Sequence, residues 1–67
     1  MSVLIFDIPR DSNTVEKRIN RELRRMDAKM IQHSVWQLDD VQDLMKVALE
    51  IKQSGGKARI LEERFIF

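Results

Sequence analysis

The chain has 67 residues, a net charge of +1, no cysteine and one histidine, His33. That excludes a disulfide framework, a cysteine-held zinc or iron–sulfur centre, and a multi-histidine metal site within one chain. A domain this small buries only about 60% of its unfolded surface, so a single domain over residues 1–67, stabilised further by self-association, is the expectation. The charges are unevenly spread. From Arg10 to Lys29 seven bases (Arg10, Lys17, Arg18, Arg21, Arg24, Arg25, Lys29) stand against four acids (Asp11, Glu16, Glu22, Asp27). From Asp39 to Glu50 four acids stand against Lys46 alone.

The first element is the run Ser2-Val3-Leu4-Ile5-Phe6-Asp7-Ile8-Pro9, apolar at six of its eight positions. A continuous run of this kind predicts a strand buried on both faces at the centre of a sheet. Pro9 lacks an N–H and ends it. By alternation Asp7 shares a face with Val3 and Ile5, while Leu4, Phe6 and Ile8 point the other way. A carboxylate there must be paired, solvated or bound to a cation. The run has no basic flank and is too short to span a bilayer, so a soluble, cytoplasmic chain with no membrane partner is expected.

Asn13 followed by Glu16 predicts a helix start. Val15, Ile19, Leu23 and Met26 then form a narrow apolar stripe. Arg18, Arg21 and Arg25 fall on one side of this helix, with Lys17 and Arg24 flanking Arg21. Asp27-Ala28 is the exit. Lys29 to Leu38 reads as extended, either one strand or two short strands separated by a bend near Gln32–Ser34. Strict alternation puts Met30, Gln32, Ser34, Trp36 and Leu38 on one face. Ile31, His33, Val35 and Gln37 take the other. Asp39 and Asp40 offer an N-cap. Val41, Leu44, Met45, Ala48 and Ile51 recur at helical spacing, widened by Val47 and Leu49, until Gly55-Gly56 stops the helix. Lys57 to Phe67 reads as a final strand, broken by Glu62-Glu63-Arg64 and closing on Phe65-Ile66-Phe67.

Two α+β architectures suit this order. One is a ferredoxin-like split βαβ, with both helices on one face of an antiparallel sheet. The other is a small parallel three-stranded unit. The first is favoured. It leaves a bare sheet face carrying Val3, Ile5 and Asp7, which predicts a homodimer packed sheet on sheet.

Phe6-Asp7-Ile8-Pro9 closing a first strand, the arginine-rich helix, and Ile31-Gln32-His33-Ser34-Val35-Trp36 together resemble the small CRISPR-associated adaptation subunit, the second of the two universal Cas proteins. The same residues look like the C-terminal domain of the phenylacetate-operon repressor family and, more distantly, VapD-type toxins. The first resemblance implies a nucleic-acid-binding homodimer working in antiviral defence beside a larger CRISPR integrase, and a nuclease with Asp7 as its metal-binding, catalytic aspartate. It also implies a final short strand that adds to the partner's sheet, a role that Phe65-Ile66-Phe67 fits, so that these three residues belong to the dimer interface along with the Val3 and Ile5 of the bare face. The repressor resemblance implies a non-catalytic dimerisation or regulatory module.

Each candidate residue has a functional and a structural reading. Asp7 is either a Mg²⁺ ligand, its symmetry mate supplying the second carboxylate, or a hydrogen-bond acceptor or arginine partner at the strand end. Asp11 suits turn capping better than a second ligand. Arg10, Arg18, Arg21 and Arg25 are phosphate-contact candidates for double-stranded nucleic acid, against a merely solvated basic face. His33 could be a general base but is a lone histidine on a strand, and Ser34 lacks a base and an oxyanion site. Trp36 suits a core or interface position better than base stacking.

Overall fold

The computed structural model describes residues 2–9, 11 and 13–62. Its elements are β1 (Ser2–Asp7), α1 (Asn13–Arg25), β2 (Lys29–Gln32), β3 (Val35–Leu38), α2 (Val41–Gln53) and β4 (Lys57–Glu62). The strands form one sheet in the order β2-β3-β1-β4, and every neighbouring pair is antiparallel. The parallel three-stranded alternative is thereby excluded. β1 and β2 are separated by β3, so the βαβ unit is split, an arrangement compatible with a ferredoxin-like fold.

Both helices lie over one face. The core joins Leu4, Phe6 and Ile8 to Trp36 from β3, Ile19 and Leu23 from α1, and Leu44, Val47 and Ile51 from α2. These positions follow from the two periodicities. Alternate residues of β1 point under the helices, and the stripes of α1 and α2 meet them. This face of β1 is covered throughout. On the other, Val3 is buried, but Ile5 is 38% exposed and Asp7 is exposed, so the apolar run is central in the sheet but not buried on both sides along its whole length.

The helix ends are local chemistry. Asp40 caps α2, its side chain accepting from the backbone N–H of Gln42 at 3.0 Å and Asp43 at 3.4 Å. α2 closes at Ser54 and Gly55, with the Gly56 N–H reaching back to the Ile51 carbonyl at 2.9 Å and the Gly55 N–H to that of Lys52 at 3.1 Å. This is the left-handed closing motif, and Gly55 supplies the positive φ of 93°. α1 closes the same way without glycine. Ala28 donates to Leu23 at 3.0 Å and Asp27 to Arg24 at 3.1 Å, with Asp27 at φ 63°.

The bend within Lys29–Leu38 is a tight turn at His33-Ser34, Ser34 having φ 65°. An irregularity between Met30 and Gln32 shifts the register, so Met30 faces Trp36 while Gln32 faces Val35. Strict alternation would keep Gln32 with Trp36. The shift moves Gln32 to the side of Val35, because an inserted residue swaps the faces beyond it. Among the described residues no helix is long and apolar enough to cross a membrane.

Candidate functional site

The uncovered sheet face is the first candidate surface. Direct partners in an antiparallel ladder share a face. Val3 is opposite Gln37 in β3 and Leu61 in β4. Ile5 is opposite Val35 and Arg59, and Asp7 is opposite Lys57. The face therefore has an apolar middle of Val3, Ile5, Val35 and Leu61. Charged groups lie toward the Asp7 end. Ile5, Asp7, Lys57, Arg59 and Leu61 line a shallow depression of about 280 Å³ along the seam between β1 and β4.

Asp7 thus sits beside two cationic side chains. Its backbone carbonyl also borders Gly56, where an added Cβ would lie 2.7 Å from that oxygen. The described residues contain no group of three or more potential metal ligands. Within one chain a single carboxylate flanked by Lys57 and Arg59 does not fit a divalent cation, which gathers oxygen donors and is repelled by ammonium and guanidinium groups. Asp11 lies in an exposed turn.

The outward side of α1 is the second candidate surface. Lys17, Arg18, Arg21, Arg24 and Arg25 are all exposed, and at 100° per residue they form one continuous basic band opposite Ile19 and Leu23. The acids of α1 lie at its flanks. Glu16 is 3.8 Å from His33, whose side chain is 82% exposed. Glu22 turns toward α2, where it meets Glu50. Burial raises the Glu50 pKa above its ordinary value, the Glu22 charge adds to this, and Arg18 opposes it. The Arg18 Nε lies 3.8 Å from the Glu50 carboxylate. Arg18 is therefore partly committed to holding the helices together, while Arg21 and Arg25 face solvent without such a contact among the described residues. Arg10 lies outside the described residues, as do Phe65, Ile66 and Phe67.

A third surface falls outside the sequence expectations. Val41, Met45 and Leu49 of α2 remain exposed, Met45 and Leu49 at 58% each. With Ala48, Ala58 and Ile60, Met45 and Leu49 border an apolar groove of about 480 Å³ next to β4, rimmed by Lys46 and Lys52. The widening of the α2 stripe by Leu49 is its signal in the sequence. The pairing of Asp7 with Lys57 has none, since strand register is nonlocal. Trp36 is 2% exposed in the core, which leaves no face for stacking on a base.

Against known proteins, the chain matches no family model, no curated protein and no solved structure. The arrangement supports two activities on chemical grounds: self-association through an apolar, charge-bearing sheet face, and attraction of polyanions by α1.

Proposed function

We propose that this chain is a homodimeric nucleic-acid-binding module of ferredoxin-like fold, its copies joined through the bare sheet face and its α1 helices contacting phosphates. The observation that carries the reading is the separation of surfaces. The apolar sheet face and the basic band of α1 lie on opposite sides of one small domain, so pairing through the first leaves the second free. Sheet residues such as Ile5 and Leu61, left open to water in a single copy, are the kind of patch that marks an interface. Guanidinium forks with no competing acid on the same band suit phosphate oxygens.

The resemblance to the CRISPR adaptation subunit points the same way: a double-stranded substrate and a larger integrase as companion. Mg²⁺-dependent cleavage at Asp7 is the weaker part of that resemblance. It requires the partner copy's carboxylate as a second ligand, and Lys57 and Arg59 oppose it. The repressor-like alternative, a dimerisation module without nucleic acid, shares the interface and differs only in α1.

Titration of a labelled duplex at several salt concentrations separates these readings. Affinity should fall steeply with salt. Arg21→Ala and Arg25→Ala should each weaken binding by several-fold and lower the salt slope by about one. Binding that is absent, or insensitive to both substitutions, would leave the dimerisation module alone.

A further inference from the structure

The sheet-on-sheet dimer can be placed more closely, and this placement rests on that reading. We propose that its two-fold axis runs parallel to the strands along the seam between β1 and β4, so that Asp7 of each copy pairs with Lys57 of the partner copy. Asp7 is then a positioning residue that fixes the register of the dimer, and not a metal ligand.

Three observations combine. The first is geometric. Two copies joined face to face are related by an axis lying in the interface plane. If it ran directly over β1, each β1 would lie on the partner's β1, and the two Asp7 carboxylates would meet and repel. Shifted to the seam, the axis lays β1 of one copy over β4 of the other. Antiparallel partners share a height along the sheet, so Asp7 then faces the partner's Lys57, Ile5 the partner's Arg59, and Val3 the partner's Leu61. The second is charge. Asp7 stands on β1, while Lys57 and Arg59 stand on β4 of the same face. That distribution complements itself across the seam and nowhere along β1. The third is shape. The depression of about 280 Å³ lies on this seam, between the rows led by Ile5 and Leu61, where side chains from a second copy have room to interleave. The Asp7–Lys57 pair is formed twice by symmetry, and the Arg59 stem can cover Ile5 of the partner copy while its guanidinium reaches that copy's Asp7.

The test is dimer affinity by sedimentation velocity on Asp7→Lys, Lys57→Asp and their equimolar mixture, with circular dichroism confirming that each folds. Each variant alone places like charges across the axis twice and should weaken the dimer by about tenfold or more. The mixture should restore it, because the mixed dimer regains an opposite-charge pair at both positions. A purely intrachain Asp7–Lys57 effect cannot produce rescue on mixing. The milder Asp7→Asn should weaken the dimer by several-fold and serves if the reversals fail to fold. A Lys57→Asp protein as dimeric as the parent, a tighter dimer from Asp7→Asn, or a parent dimer tightened by Mg²⁺ would each overturn the seam axis while leaving a dimer. A monomeric parent protein would instead overturn the sheet-on-sheet reading itself.

Discussion

Three backbone positions show how individual residues set this fold. Asp27 and Ser34 both occupy the left-handed region, at φ 63° and 65°, where a Cβ is crowded by the backbone at a cost of about 1 kcal/mol or more. Asp27 closes α1 where Gly55 closes α2, so glycine fits its place. Asp27→Gly and Ser34→Gly should each stabilise by up to about 1 kcal/mol, read as a higher urea midpoint at unchanged slope. Gly56 is the opposite case. An added Cβ would come within 2.7 Å of the Asp7 carbonyl and 2.8 Å of the Ile51 side chain. Backbone and a buried side chain cannot both yield, so Gly56→Ala should destabilise by about 1–3 kcal/mol in the same measurement. In the sequence Gly55-Gly56 reads as a helix stop. That Gly56 also lets α2 descend onto the end of β1 is visible only in three dimensions.

At the scale of elements, the helices were legible because their boundaries are local. Asp40 as cap, Gly55 as stop and the stripes of Ile19–Leu23 and Leu44–Val47–Ile51 each depend on residues within a few positions. The strand faces were legible in β1 and β3, where alternation holds, and failed in β2, where one irregularity sends Gln32 to the side of Val35. What joins α1 to α2 was also out of reach, since Arg18, Glu22 and Glu50 meet only through the packing of the two helices. That contact has a pH signature. The Glu50 pKa is raised in the folded state by burial and by Glu22, so the folded protein holds this proton more tightly than the unfolded chain does. Its contribution is fully present below about 4.5, the ordinary value, and is lost as pH climbs through the raised one. Thermal melts across this window should show Glu50→Gln with a shallower loss of stability on raising pH than the parent. An identical pH profile would show that the pair does not couple the helices.

For the whole molecule, layering sets the terms. A single layer of two helices on four short strands covers one sheet face, and among the described residues no element covers the other. The residue types of β1 and β3 carry the consequence: Val3, Ile5 and Val35 are apolar residues on the side the helices leave open. Which charges border that side was not legible, because Lys57 and Arg59 come alongside Asp7 only through the pairing of β4 with β1. The proposed function assigns these two sides to different partners, a second copy on the open sheet face and phosphate on the basic side of α1. The most direct test is sedimentation equilibrium of the parent protein beside Ile5→Lys, which puts a charge in the middle of the open face without touching the core. The expected result is a dimer for the parent and a folded monomer for Ile5→Lys. A monomeric parent, or an Ile5→Lys protein that dimerises as tightly, would contradict pairing through the sheet.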